Sequence, residues 1–123
     1  MLRDFLIGAV LRMTINSRQK GAAGEREFAE LLRFHLFDAR RGQQFSGGKD
    51  SPDVVCSDLK DFHFEVKRVQ AGNLYKWMAQ AKRDAGPDKI PVVAHRRNNE
   101  DWVAILSADI FLELLHKAGY NGK

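Results

Sequence analysis

The segment FHFEVK, residues 62–67, alternates apolar and polar side chains, and this pattern constrains the fold more than any other feature of the chain. A period of two is typical of a β-strand, whose successive side chains point to opposite faces of a sheet. A second apolar run lies at 51–56, before a short polar turn, so residues 51–68 are predicted to form a β-hairpin. Glu65 and Lys67 then stand side by side on its polar face.

Asp53 opens the first strand of the predicted hairpin. An antiparallel pairing can bring its carboxylate near that of Glu65, so two carboxylates and the Lys67 ammonium would converge. Carboxylate oxygens are the ligands that Mg²⁺ prefers, and an ammonium group can hold or polarise a water beside the metal. The alternative is a solvated hairpin face on which Glu65 and Lys67 only pair in water, because a single Glu-x-Lys is common.

Length and composition describe one ordinary globular domain. The chain has 123 residues, 44% of them hydrophobic and 29% charged, which is enough for a single hydrophobic core. The net charge of +4 is compatible with a polyanionic partner but does not require one. Cys56 is the sole cysteine, so no intrachain disulfide is expected, and no apolar segment approaches the length of a membrane span.

The first twelve residues are apolar and mildly amphipathic. They resemble a signal peptide only superficially, because the apolar run is interrupted and no convincing cleavage site follows. The segment that begins at Met13 has the character of a natural protein start. Residues 1–12 are therefore expected to be an extension, either a peripheral helix or poorly ordered, and residues 13–123 to form the single domain.

A helix is predicted from about Ser17 or Gly24 to Phe37. At 100° per residue, one stripe of this helix carries Glu25, Phe28, Ala29, Leu32 and Leu36. Glu25 is thus aligned with the core, where a carboxylate is costly unless a cation or a donor meets it. The alternative is a first-turn glutamate that complements the helix dipole. Phe34 and Phe37 fall off the stripe, which indicates a second apolar contact or an early helix end.

Residues 38–50 combine arginines, a Ser-Gly-Gly segment and a lysine. The first half is predicted to be an edge strand and residues 46–48 a loop. Arginines beside a glycine loop suit the close approach of a phosphate backbone to main-chain N–H groups, although a plain surface loop explains the glycines equally well. No Walker spacing is present, so no nucleotide cofactor is expected.

The remaining residues predict a helix, two strands at 90–95 and 102–106, and a final helix, with Asn73 and Ser107 as the N-caps of the helices. The predicted inward residues are Leu74, Trp77, Met78, Ala81 and Ala85 in the first of these helices, and Ile110, Phe111, Leu114 and Leu115 in the last. The four histidines share no metal-ligand spacing. His63 alone is placed near the hairpin site, as a bystander.

The motif Pro-Asp at 52–53, followed twelve positions later by Glu-Val-Lys at 65–67, resembles that of the PD-(D/E)XK nuclease superfamily. The resemblance covers residues 20–115 and implies an α/β, restriction-endonuclease-like three-layer domain with a central mixed β-sheet flanked by helices. The segment KGAAGERE, residues 20–27, looks like the opening of archaeal-type Holliday junction resolvases. The segments 40–48 and 86–93 look most like phage-encoded members.

The resemblance also implies the site. Its catalytic residues would be Glu25, Asp53, Glu65 and Lys67. Asp53, Glu65 and the Val66 carbonyl would hold Mg²⁺, or Mn²⁺ as a substitute, with Glu25 as a further metal ligand, and Lys67 would orient the attacking water. The family's arginine and loop serine match Arg40 or Arg41 and Ser46 or Ser51. The residues predicted to contact DNA are Lys20, Arg40, Arg41, Ser46, Gly47, Lys49, Arg68 and Lys76.

The implied activity is a metal-dependent endodeoxyribonuclease that resolves four-way junctions by paired symmetric nicks and leaves 5′-phosphate ends. Such an enzyme would act as a homodimer on branched DNA, in the cytoplasm of a prokaryotic or phage-infected cell, without a membrane. Three alternatives remain open: a nicking or restriction-type nuclease, a non-catalytic DNA-binding module of the same fold, and a structural phage component. The last would leave Glu25 unexplained.

Overall fold

The computed structural model describes residues 21–42 and 53–122. Within them, helix α1 covers residues 21–34. The other elements are β1 (Ala39–Arg41), β2 (Val54–Cys56), β3 (Phe62–Lys67), α2 (Leu74–Ala85), β4 (Ile90–His95), β5 (Val103–Ile105) and α3 (Ala108–Lys117), with one 3-10 turn (Ser57–Leu59) between β2 and β3. The extension predicted at 1–12 and the loop predicted at 46–48 lie outside the described residues. In the part that is described, no helix has the length and apolar character to cross a membrane.

The five strands form one mixed sheet in the order β1-β2-β3-β4-β5. Strands β3 and β4 are parallel, joined by a crossover through α2, and the other neighbours are antiparallel. The predicted hairpin is confirmed, with Val54 paired to Phe64, and so is the predicted edge strand, β1. A mixed sheet flanked by helices is the restriction-endonuclease-like α/β fold that the sequence predicts.

The alternation within β3 separates two helical layers. Phe64, on one face, packs against α1 in the core, where its ring centroid lies 5.4 Å from that of Phe28. On the other face, the Lys67 ammonium donates a hydrogen bond to the side chain of Gln80 in α2. Ala81 of α2 and Val93 of β4 have no solvent exposure. Because the two helices cover opposite faces of β3, the sheet forms the middle of three layers.

Helix α1 ends earlier than its apolar stripe predicts. Leu36 adopts a left-handed backbone with a φ of 70°, and its side chain is 92% exposed, so its predicted core position is wrong. The N–H of Leu36 donates to the Arg33 carbonyl at 2.9 Å, and the N–H of Phe37 donates to the Leu32 carbonyl at 3.0 Å. These two bonds form a Schellman motif, which satisfies the last carbonyls and turns the chain towards β1.

Helices α2 and α3 begin at their predicted N-caps, but their apolar side chains are more exposed to solvent than predicted. The Asn73 side chain accepts from the Lys76 N–H at 3.1 Å, and the Ser107 hydroxyl accepts from the Ile110 N–H at 3.3 Å. Leu74, which was predicted to face inward, is exposed. Helix α3 has no buried residue and its Phe111 is exposed, because α3 follows the edge strand β5, whose own side chains are largely exposed.

Candidate active site

The polar face of β3 is buried rather than solvated. His63 is 3% exposed and Glu65 is 5% exposed, because α2 lies over this face of the strand. The alternative of an ion pair between Glu65 and Lys67 in open water is therefore wrong. Buried polar groups need partners, so the contacts of these side chains define the site.

Asp53 lies directly beside this face. Since Val54 pairs with Phe64 in an antiparallel ladder, Asp53 and Glu65 come next in register on their two strands. The Asp53 carboxylate is 8% exposed and accepts a hydrogen bond of 2.8 Å from the Val66 N–H. The predicted approach of Asp53 to the Glu-Val-Lys segment is thus confirmed.

Burial raises the pKa of Asp53 from its ordinary 3.8 to about 7. The negative charges of Glu65 and Glu25 act in the same direction, whereas the hydrogen bond from Val66 and the charge of Lys67 lower the pKa. A buried carboxyl group beside two other carboxylates favours its neutral form. The interaction also shows that Glu25 and Glu65 lie within electrostatic reach of Asp53.

Glu25 reaches this site from α1. Its side chain is buried, as its position on the apolar stripe predicts, and it accepts a hydrogen bond of 2.6 Å from Arg41 Nε. Arg41 pairs with Val54 in the ladder between β1 and β2, and therefore points to the same face of the sheet as α1. The edge strand thus supplies the cation that the buried glutamate needs.

Lys67 lies at the end of β3, and its ammonium donates a hydrogen bond of 2.9 Å to Gln80 Oε1. The four residues that the resemblance implies as the catalytic set come from two elements and from the residue that precedes a third. Glu25 is on α1, Asp53 precedes β2, and Glu65 and Lys67 are on β3.

Two neighbours of Glu65 go beyond the sequence-based prediction. His63, predicted to be a bystander, places Nε2 3.3 Å from Glu65 Oε2. One donor atom each of His63, Glu65 and Asp84 lies within 4.8 Å of the other two, in an arrangement that can hold a metal ion. Asp84 was not predicted. Its signal in the sequence is its spacing of four residues from Gln80, which puts both on one side of α2.

Some of the residues predicted to contact DNA are exposed, and others form ion pairs within the protein. Arg40 and Lys76 are exposed. Arg41 is paired with Glu25, and Arg68 donates to Glu27 at 3.4 Å, so the charges of these two arginines are partly compensated within the protein. The other predicted contacts, Lys20, Ser46, Gly47 and Lys49, lie outside the described residues, as does Ser51.

The donor set fits a divalent cation. The carboxylates of Glu25, Asp53 and Glu65 face two cations, Arg41 and Lys67, and the remaining negative charge contributes to the raised pKa of Asp53. Hard cations such as Mg²⁺ take oxygen ligands of this kind and would compensate the charge.

A mixed sheet with Pro-Asp before one strand and Glu-Val-Lys on the next defines a nuclease of the PD-(D/E)XK superfamily. Residues 16–121 match the model of the family described as "Phage putative PDDEXK endonuclease", and the chain belongs to this family. No curated protein and no solved structure matches the chain.

Proposed function

We propose that this protein is a structure-selective DNA endonuclease that resolves four-way junctions by paired, symmetric nicks. The observation that carries the proposal is Glu25, a buried carboxylate on α1 within electrostatic reach of Asp53. It belongs to the segment 20–27 that resembles the opening of junction resolvases, in which the glutamate of the first helix is part of the active site.

In the proposed hydrolysis of a phosphodiester, the residues of the site have different roles. Asp53, Glu65 and the Val66 carbonyl would hold Mg²⁺ or Mn²⁺, with Glu25 as a further ligand or as an outer partner of the same ion. When bound, the ion neutralises charge on the scissile phosphate and lowers the pKa of a water. The other contributions come from the side chains of the chain itself.

Lys67 is the residue proposed to orient the attacking water. A lysine ammonium has three N–H donors, and one of those of Lys67 is directed at Gln80. The others can bind a water and a phosphate oxygen, and the positive charge stabilises the developing negative charge of the transition state. Attack of water on phosphorus, with departure of the 3′-oxygen, leaves a 5′-phosphate and a 3′-hydroxyl.

Two symmetric nicks require two sites, so the proposal includes a homodimer with two-fold symmetry. Large apolar side chains exposed on the single chain support it: Phe34, Leu36, Phe111, Leu112 and Tyr120. Side chains of this size are the anchors that protein interfaces tend to bury.

Cleavage of a mobile four-way junction, a flap and a linear duplex of the same sequence, with Mg²⁺ and at one salt concentration, tests the proposal. We expect the junction to be cut well ahead of the duplex, by nicks in opposing strands and with little dependence on base sequence, since phosphate contacts do not read bases. A protein that cuts duplex as fast as junction would be a nicking or restriction-type nuclease. Binding without any cleavage would identify a non-catalytic module.

A further inference from the structure

Helix α2 presents two polar side chains to the buried face of β3. Gln80 and Asp84 are four residues apart, which places them one above the other on the same side of a helix. Ala81, next to Gln80, has no solvent exposure, so this side of α2 lies directly on the sheet. Each of the two side chains contacts or approaches a different polar residue of β3.

Gln80 contacts Lys67. Its Oε1 accepts from the Lys67 ammonium at 2.9 Å. Lysine is a flexible four-carbon chain with a freely rotating ammonium, so a fixed acceptor determines where the other N–H groups point. Because the amide carries no net charge, it holds the ammonium without neutralising it.

Asp84 approaches the pair formed by His63 and Glu65. The imidazole Nε2 lies 3.3 Å from Glu65 Oε2, and a donor atom of Asp84 is within 4.8 Å of both. His63 and Glu65 are both buried beneath α2, where a carboxylate has few orientations that satisfy its oxygens. An imidazole that contacts one carboxylate, with a second carboxylate within 4.8 Å, can limit the orientations that the first carboxylate adopts.

We propose that Gln80 and Asp84 are a positioning pair, in which Gln80 orients Lys67 and Asp84, through His63, orients Glu65. The inference rests on the proposed roles of Lys67 and Glu65. Residues that orient a metal ligand or a catalytic group from behind typically contribute 10–100-fold to activity or metal affinity, by order of magnitude. Helix α2 is then part of the catalytic apparatus, although neither of its two side chains touches the reacting atoms.

The Gln80 half is tested by single-turnover cleavage at saturating DNA and Mg²⁺, with DNA affinity measured in parallel in Ca²⁺. Gln80→Met removes the acceptor and keeps the shape, so the rate should fall by roughly 10-fold or more while DNA affinity stays constant. Gln80→Glu restores an acceptor but adds a charge that partly neutralises the ammonium, so it should recover only part of the rate. Ala79→Met, which adds the same side chain to the exposed side of α2, is the control and should cut at the wild-type rate.

The Asp84 half is tested by coupling to His63. Asp84→Asn should lower the rate by about 10-fold in the wild-type background but by much less in a His63→Gln background, since the proposal has Asp84 act through His63. Asp88→Asn, an exposed aspartate just beyond α2, is the matched control. Equal losses from Asp84→Asn in both backgrounds would overturn the proposal. Loss of one bound Mn²⁺ from the DNA-free Asp84→Asn protein would overturn it too, because Asp84 would then be a ligand.

Lys67→Ala and Glu65→Gln separate this inference from the proposed function. If both lose cleavage while Gln80→Met and Asp84→Asn cut normally, only the positioning pair is wrong. If Lys67→Ala and Glu65→Gln themselves cut normally, the site assignment fails, and with it the basis of the pair.

Discussion

At Asp53 the fold holds a carboxylic acid in a buried place beside two other carboxylates. Its pKa of about 7, against an ordinary 3.8, means that the folded protein binds this proton more tightly than the unfolded chain does. The resulting stabilisation is fully present below about pH 4 and is lost as the pH rises towards and through 7, the opposite of an ordinary ion-paired aspartate. The folded protein is therefore less stable at neutral pH than at pH 4, because ionising the buried Asp53 carboxyl costs free energy.

Asp53→Asn should remove this pH dependence. In EDTA, the unfolding free energy of the wild type should fall relative to that of Asp53→Asn by at most about 4 kcal/mol between pH 4 and pH 8. Asparagine keeps an acceptor for the Val66 N–H, so the hydrogen bond is not the variable. Urea unfolding of both proteins across this range measures the difference, in which other titrating groups cancel. If the unfolding free energies of the wild type and of Asp53→Asn differ by the same amount at pH 5 and at pH 8, Asp53 does not have a raised pKa.

Substitutions in the site should separate cleavage from folding. Asp53→Asn, Glu65→Gln and Lys67→Ala should each abolish cleavage and keep the fold and most of the DNA affinity, while Glu25→Gln should lower activity strongly. The measurements are nicking assays, circular dichroism and binding in Ca²⁺. A Glu25 that acted only on the helix dipole would instead cost a few tenths of a kcal/mol in stability and leave the rate unchanged.

Among the elements, α1 determines whether Glu25 can reach the site. The helix is held near the ends of β3 and β4 by Glu27, which accepts from Arg68 and from Arg96. It also passes very close to the residue that follows β3, because a Cβ added at Gly24 would lie 2.4 Å from Arg68 Cβ. Glycine is therefore required at position 24 by the close approach, and Glu25 follows it directly.

Gly24→Ala should push α1 away from Arg68 and lower the unfolding free energy by about 1–3 kcal/mol, as over-packing does elsewhere. It should also lower the cleavage rate, because Glu25 moves with the helix. Gly21→Ala is the matched control: among the described residues nothing lies within 4 Å of a Cβ there, so alanine should be neutral or stabilise the helix by up to about 1 kcal/mol. Thermal unfolding and the nicking assay report on both variants. Equal effects at the two positions would show that α1 does not approach Arg68 this closely.

For the whole molecule, the net charge of +4 and the exposed basic side chains favour a phosphate backbone as partner. DNA affinity should fall steeply with salt, since cations that contact phosphates release counterions. Arg40→Glu should weaken binding by a similar factor for every DNA sequence, because Arg40 is exposed and such contacts do not read bases. Titrations from low to moderate salt test both statements, and an affinity that does not change with salt would exclude this surface.

Deletion of residues 1–12 should leave folding and cleavage unchanged. The motif set begins at Lys20, and the family match begins at residue 16. Unfolding, cleavage and light scattering of the shortened protein measure the outcome. Loss of solubility or of dimerisation would assign the segment to the core or to an interface.

The local patterns of the chain determined much of its structure. The alternation in β3, the caps at Asn73 and Ser107, and the stripe that carries Glu25 and Phe28 depend on neighbouring residues only, and each is found as predicted. The Asp53 and Glu-Val-Lys spacing also survives, because the register of a hairpin is set by the turn and the loop length that join its strands.

Tertiary structure decided the rest. Arg41 meets Glu25, Gln80 meets Lys67, and Asp84 approaches His63, through packing of elements that are distant along the chain. No periodic pattern in the sequence predicts these contacts, because they depend on which helix covers which face of the sheet. The same cause overturned the prediction for Phe111. Leu36 is exposed for a local reason, since a Schellman motif ends α1 before it. Apolar periodicity predicts a buried side chain, but only the three-dimensional arrangement supplies, or withholds, the neighbour that buries it.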